Sequence, residues 1–180
     1  MNTANKITVI RVLFVPVFIF FAANTEKQYF DIITAVIFLA ISFTDFLDGY
    51  IARKYNQVTD FGKFLDPLAD KILVCSALIM LTEAGSLSGV ATVIIIAREF
   101  MVTSIRLLAA GGGKVIAASK SGKVKTVSQM FGITVLFLEN YLNMLCPLPY
   151  GIIVTVFMLV TTIYSGAEYL IKNIHLIETK

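Results

Sequence analysis

Six long apolar segments dominate the sequence and restrict the folds it can adopt. They occupy residues 7–23, 30–52, 64–82, 87–108, 124–146 and 150–171. A helix needs about 20 mainly apolar residues to cross a bilayer, and each segment is close to that length. Only 15% of the residues are charged, whereas a soluble domain has about 25%. We therefore expect an all-α integral membrane protein with six transmembrane helices, forming one domain over residues 1–180.

The lysines and arginines between these segments predict the orientation in the membrane. The connections after the second and fourth segments contain three basic residues each: Arg53, Lys54 and Lys63, then Lys114, Lys120 and Lys123. The three opposite connections together contain only Lys27. Since basic loops stay on the cytoplasmic side, we expect a multi-pass protein of the inner membrane with both termini in the cytoplasm. We expect no nucleic-acid partner.

Four aspartates lie inside the second and third apolar segments, where each charge costs about 2.5–3.5 kcal/mol on insertion scales. Asp45 and Asp48 are three residues apart, and Asp66 and Asp70 are four apart, so each pair shares one face of a helix. A short connection makes the two helices antiparallel neighbours. Counted outward from the hairpin, the inner and the outer aspartates each lie at matching depth. The four carboxylates are therefore expected to converge.

Four carboxylates this close require a counter-ion, and hard divalent cations prefer oxygen ligands. Each aspartate also has a structural alternative. Asp66 precedes Pro67 and could cap a helix, while Asp48 could mark a helix end and Asp70 could pair with the lysine that follows it. Their shared depth favours a site for Mg²⁺ or Mn²⁺.

The residues between the aspartates favour a phosphate-containing ligand. Gly49 and Gly62 lack side chains and leave room for a bulky group beside the backbone, and Ala52 is also small. Arg53 can bind a phosphate through two hydrogen bonds. Together with a metal site, these residues indicate diphosphate chemistry at the cytoplasmic face of the membrane.

The complete pattern is a set of eight residues at fixed spacing: Asp45, Asp48, Gly49, Ala52, Arg53, Gly62, Asp66 and Asp70. At all eight positions it resembles the signature of the CDP-alcohol phosphatidyltransferase family. The resemblance implies a six-helix membrane fold, usually a homodimer, that binds two Mg²⁺ or Mn²⁺ ions.

The resemblance also implies a role for each signature residue. The metal ligands would be Asp45, Asp48, Asp66 and Asp70. The CDP group would be surrounded by Gly49, Ala52, Arg53 and Gly62. Within these sets, Asp70 would also act as general base and Arg53 would bind the diphosphate.

Further stretches are similar to the family members that use sn-glycerol 3-phosphate as the acceptor. They are residues 61–71 (FGKFLDPLADK), 96–100 (IAREF) with Arg106, and 122–126 (GKVKT) with Gln129, together with Asn5, Thr8 and Arg11 near the start. The resemblance implies transfer of a phosphatidyl group from CDP-diacylglycerol to sn-glycerol 3-phosphate. It also makes Asn5 and Thr8 possible substrate-binding residues.

The phosphate of such an acceptor requires cations beyond those at the CDP site. We expect them to be Arg98, Arg106, Lys123 and Lys125. Arg98 and Arg106 are two turns apart and so lie on similar faces of one helix. The two lysines have an alternative explanation in the positive-inside bias and attraction to anionic lipid. Glu99, beside Arg98, is expected to be a charge partner rather than a catalyst.

Three other functions fit parts of the sequence. Another member of the same family would use serine, inositol phosphate or phosphatidylglycerol as the acceptor. A membrane prenyltransferase also binds a diphosphate through aspartate-rich motifs, but is expected to have more spans and more widely separated motifs. A divalent-cation carrier would use the four carboxylates for transit, which the adjacent Arg53 disfavours.

Overall fold

The computed structural model describes residues 3–24, 28–54, 60–111 and 119–174. This part of the chain contains seven helices: α1 (Thr3–Ala22), α2 (Gln28–Lys54), α3 (Asp60–Glu83), α4 (Gly89–Gly111), α5 (Lys120–Phe137), α6 (Glu139–Leu145) and α7 (Tyr150–Asn173). The prediction of an all-α protein is therefore confirmed for the described residues.

Six of the helices are long, with 18 to 27 residues each. Five of them coincide with predicted apolar segments, and α5 covers only the first part of the fifth. Within the described ranges, α7 is the helix that is both long and apolar enough to cross a membrane. The apolar parts of α1 and α2 are shorter, at Val9–Ala22 and Tyr29–Thr44.

The fifth predicted segment is not one helix, so its boundary at residue 146 is wrong. Helix α5 ends at Phe137, and the separate helix α6 follows Leu138. The backbone N–H of Leu138 bonds to the carbonyl of Thr134 at 3.1 Å, which closes the last turn of α5. The helix is thus interrupted within a run whose hydropathy is continuous.

Two polar residues at the start of α6 explain the break. The carboxylate of Glu139 accepts a hydrogen bond from the backbone N–H of Gly151 at 3.0 Å, and so satisfies a free donor at the start of α7. The side-chain amide of Asn140 donates to Asp31 of α2 at 3.3 Å. Both contacts connect α6 to helices other than α5.

Helices α2 and α3 extend further toward their connection than expected. Their bounds exclude two of the alternative structural explanations for the aspartates. Helix α2 continues to Lys54, so Asp48 is not at a helix end. Helix α3 begins at Asp60, so Asp66 is inside the helix and does not cap it. The spacings of three and four residues therefore place each aspartate pair on one helical face.

An aromatic cluster joins three of the helices in the core. The ring of Phe18 in α1 lies 6.1 Å from that of Phe38 in α2 and 5.8 Å from that of Phe137 in α5. Around this cluster α1 packs against α2 and α3, and α5 packs against α2 and α7. Helix α4 packs mainly against α7, so the C-terminal helix supports the arginine-bearing helix.

Candidate functional site

The eight signature residues lie on α2 and α3, which pack against each other. Five are on α2 and three on α3: Asp45, Asp48, Gly49, Ala52 and Arg53, then Gly62, Asp66 and Asp70. Asn5 and Thr8 lie on α1. The side chains of all ten residues fall outside the part that the structure describes. Their helical positions are consistent with the predicted hairpin.

The donor chemistry of the signature fits a hard divalent cation. It offers four carboxylates on adjacent helices, and residues 45–70 contain neither histidine nor cysteine. Oxygen-only donor sets suit Mg²⁺ and Mn²⁺. Among the side chains that the structure describes, no group of three or more acidic, histidine or cysteine residues could hold a metal.

A partly buried carboxylate links two of the four predicted acceptor-binding cations. Glu99 of α4 accepts a hydrogen bond from Arg98 at 3.0 Å and another from the ammonium group of Lys125 in α5. The Lys125 side chain is only 3% exposed and that of Glu99 is 15% exposed. Glu99 is therefore a charge partner of Arg98, as expected, and it also holds a lysine 26 residues away. One carboxylate thus bridges a cation on its own helix and a cation on α5.

A small polar cavity of about 90 Å³ lies beside this ion-paired group. Its walls come from four helices and include Ser42 of α2, Lys71 of α3, Glu99 of α4, and Lys125 and Gln129 of α5. A single buried water needs only about 10–15 Å³, so the cavity has room for a larger polar group. Two ammonium groups on its walls favour an anion.

The helical repeat connects this cavity to the aspartate signature. Ser42 on the α2 wall is three residues before Asp45, and Val74 on the α3 wall is four residues after Asp70. Residues three or four apart lie one turn apart on the same helical face. The cavity therefore adjoins the faces of α2 and α3 that carry the outer pair of aspartates.

The two arginines of α4 both face α7. The Nε of Arg106 donates to the hydroxyl of Tyr169 at 3.3 Å, and its guanidinium lies 5.5 Å from the centre of that ring. A Cβ atom built on Gly166 would lie 3.0 Å from Cγ of Arg98, so the arginine stem packs directly against this glycine. The prediction that both arginines share a helical face is confirmed.

Lys123 lies apart from this group. It is exposed and borders an apolar groove of about 420 Å³ between α5 and α7, lined by Val127, Phe131 and Phe157. Among the predicted acceptor-binding residues, the structure brings Arg98 and Lys125 together. Arg106 contacts Tyr169 and Lys123 faces the groove, and neither borders the polar cavity.

Sequence reasoning overlooked the contributions of α7 and of Gln129. Tyr169 is 63 residues from the arginine it contacts, and no local pattern in one sequence signals such a pair. Gln129 appeared in the sequence only as part of a resembling stretch. Its position four residues after Lys125, on the same face of α5, was the available signal that it lines the same site.

Known proteins similar to this chain cover nearly all of its length. Residues 1–164 match the sequence model of the CDP-alcohol phosphatidyltransferase family. A Bacillus subtilis protein named CDP-diacylglycerol–glycerol-3-phosphate 3-phosphatidyltransferase is 38% identical over 99% of this chain and 98% of its own. A Rickettsia felis protein of the same name is 40% identical over 77% of this chain and 76% of its own.

A third relative is named as a probable phosphatidylglycerophosphate synthase and comes from Mycobacterium tuberculosis. It is 37% identical over 95% of this chain and 81% of its own length. The family model covers α1 to α5, including the hairpin with the eight-residue signature, and continues into α7. This chain therefore belongs to the CDP-alcohol phosphatidyltransferase family.

Proposed function

We propose that this protein transfers a phosphatidyl group from CDP-diacylglycerol to sn-glycerol 3-phosphate, producing phosphatidylglycerophosphate and CMP. The observation that carries this proposal is the Bacillus subtilis relative, whose name states this donor and acceptor and which aligns over 99% of the chain. The cationic cavity between α3, α4 and α5 supports an acceptor that carries a phosphate.

The proposed enzyme is one membrane domain over residues 1–180, embedded in the inner membrane. The six long helices cross the bilayer, both termini face the cytoplasm, and the site lies at the cytoplasmic side. The alternation of basic and charge-poor connections supports this orientation. The protein acts as a homodimer surrounded by membrane lipid, as the family resemblance implies.

The α2–α3 hairpin binds the donor in this proposal. The CDP-binding residues are Gly49, Ala52, Arg53 and Gly62. The ligands of two Mg²⁺ or Mn²⁺ ions are Asp45, Asp48, Asp66 and Asp70. When bound, such ions neutralise the diphosphate and stabilise the attacking and leaving oxygens. Arg53 holds the diphosphate of CDP, and the two glycines leave space for the nucleotide beside the backbone.

The acceptor lies beside the donor, with its phosphate toward the cationic group. Lys125 and Arg98 are its inner partners, oriented by Glu99. Arg106 and Lys123, near the ends of α4 and α5 that meet at the 111–119 connection, are the outer cations of this site. Asn5 and Thr8 of α1 are proposed as further substrate contacts.

The proposed reaction is a single displacement at phosphorus. Asp70 accepts the proton of the primary hydroxyl of glycerol 3-phosphate as that oxygen forms a bond to the phosphorus bearing the diacylglycerol. The bond from this phosphorus to the bridging oxygen breaks, and CMP leaves with the electron pair. The low exposure of Lys125 and Glu99 keeps bulk water away from the acceptor end, which limits hydrolysis of the donor.

Acceptor specificity tests the proposal. The purified protein is incubated with CDP-diacylglycerol and Mn²⁺, and CMP is measured with glycerol 3-phosphate, serine, inositol phosphate or no acceptor. We expect release only with glycerol 3-phosphate. Release without an acceptor, or preferentially with serine or inositol phosphate, would contradict the proposed function.

A further inference from the structure

Gln129 of α5 has a buried hydrogen-bond donor that the fold does not use. The residue is only 3% exposed. Its amide nitrogen has no hydrogen-bond partner within the described part of the chain. Leaving a buried donor unpaired costs free energy, and a side chain that a leucine or methionine could replace sterically is an expensive choice for packing alone. An absent ligand that accepts a hydrogen bond explains it.

The surroundings of this amide identify the kind of ligand. Gln129 lines the 90 Å³ cavity together with the ammonium-bearing side chains of Lys71 and Lys125. The carboxylate on the same wall, Glu99, is already engaged by two cations. The cavity therefore combines an unused neutral donor with two ammonium groups. A phosphate group, whose oxygens only accept hydrogen bonds, matches both properties.

We infer that Gln129 binds the acceptor, donating a hydrogen bond from its side-chain amide to an oxygen of the glycerol 3-phosphate phosphate group. The inference rests on the proposed function for the identity of the acceptor. The amide adds a neutral contact that orients the phosphate. Lys125 supplies positive charge, while the amide favours one rotation of the phosphate group. An acceptor without a phosphate would leave both Lys71 and Gln129 unmatched, so this contact selects for phosphorylated acceptors.

Two substitutions test the inference by steady-state kinetics. Gln129→Leu keeps the approximate volume and removes the donor, and Gln129→Glu keeps the shape but places a negative charge toward the phosphate. We expect the KM for glycerol 3-phosphate to rise about 10-fold in the leucine variant, as for loss of a hydrogen bond to a charged group, and more in the glutamate variant. The KM for CDP-diacylglycerol should stay within about twofold.

Ser128→Ala is the matched control. Ser128 is the preceding residue, equally buried, but its hydroxyl bonds to Thr161 of α7 and does not line the cavity. We expect this variant to keep the wild-type KM for glycerol 3-phosphate. An unchanged KM in both Gln129 variants, or an equal rise in the KM of both substrates, would overturn the inference.

A binding measurement separates this inference from the proposed function. Glycerol 3-phosphate, added without CDP-diacylglycerol, should raise the Tm of the wild-type protein by mass action and raise that of Gln129→Glu much less. If the wild-type protein shows this shift but no transfer of a phosphatidyl group, the proposed function fails and the binding site stands. If both proteins show the same shift, the inference on Gln129 fails. This outcome is readable even where a variant has lost turnover.

Discussion

At the residue scale, Glu99 organises the cationic end of the site. Its carboxylate is the shared partner of Arg98 on the same helix and of Lys125 on the next. Without it, both cations would lose this shared anionic partner. With it, Lys125 is held on the wall of the polar cavity. We propose that the carboxylate acts as a positioning group for the acceptor site.

Replacing this carboxylate should affect the acceptor more than the donor. Glu99→Gln removes the charge that holds Lys125, and a hydrogen bond to a charged group contributes about 1.5–3 kcal/mol. We expect the KM for glycerol 3-phosphate to rise at least about 10-fold, since 1.4 kcal/mol corresponds to a factor of ten. Glu99→Asp should recover part of this loss, because the charge is restored.

Glu168→Gln provides the control for this experiment. Glu168 pairs with Lys172 on α7, where the lysine side chain is 64% exposed, and exposed pairs contribute little. Its kinetic constants should match those of the wild-type protein. Equal KM changes for donor and acceptor in Glu99→Gln would mean that Glu99 serves the fold alone.

Asp70→Asn tests the proposed general base. Asparagine is nearly isosteric but cannot accept the proton, and a positioned base contributes about 10²–10⁴-fold in rate. We expect kcat to fall by that range. Asp60→Asn, at the first residue of α3 and outside the signature, should leave kcat nearly unchanged. Turnover of Asp70→Asn close to wild type would remove Asp70 from the mechanism.

At the element scale, the close packing of α5 against α7 supports the helix that lines the polar cavity. A Cβ atom on Gly132 would lie 2.7 Å from Cγ of Met158, which is fully buried. The two helices can pack this tightly only because residue 132 has no side chain. The same packing places the hydroxyl of Ser128 2.7 Å from that of Thr161.

Gly132→Ala should therefore destabilise the protein. Glycine to alanine in a helix normally stabilises by about 0.5–1 kcal/mol, but here overpacking costs about 1–3 kcal/mol. We expect a lower Tm in detergent, partly restored by the additional change Met158→Ala. Gly89→Ala, where the nearest atom is 3.9 Å from the new methyl group, should not lower the Tm. A Gly132→Ala variant as stable as the wild type would contradict the described packing.

Some positions and ends of the helices can be predicted from the sequence, and others cannot. Apolar length was enough to locate the six long helices, because hydropathy is a local property. The break at Leu138 was missed, since it depends on Glu139 and Asn140 finding partners on α7 and α2. Polarity assigns residues 60–63 to the connection between the segments. The structure includes them in α3, which therefore starts at Asp60 and not at residue 64.

The same limit applies to the site. The aspartate hairpin and Arg53 can be predicted because these residues lie within about 25 positions of one another. At such separations the helical repeat indicates which residues share a helical face. The pairing of Glu99 with Lys125, and of Arg106 with Tyr169, joins residues 26 and 63 positions apart. Such contacts arise from the packing of whole helices, and a single sequence contains no local signal for them.

At the scale of the whole molecule, the arrangement separates two tasks between two groups of helices. The α2–α3 hairpin carries the residues proposed for the CDP donor, and α4, α5 and α7 form the support for the cations proposed for the acceptor. The polar cavity lies where walls from α2, α3, α4 and α5 meet. A reaction that joins a lipid-linked nucleotide to a soluble phosphate requires the two sites to adjoin in this way.

The central claim is transfer to glycerol 3-phosphate, and its most direct test is the stoichiometry of the two products. The purified protein is given CDP-diacylglycerol, Mn²⁺ and radiolabelled glycerol 3-phosphate, and both CMP and label in the lipid phase are measured. The proposed function predicts one labelled lipid molecule for each CMP, at every time point. Release of CMP without label entering the lipid would show that this protein does not use glycerol 3-phosphate as its acceptor.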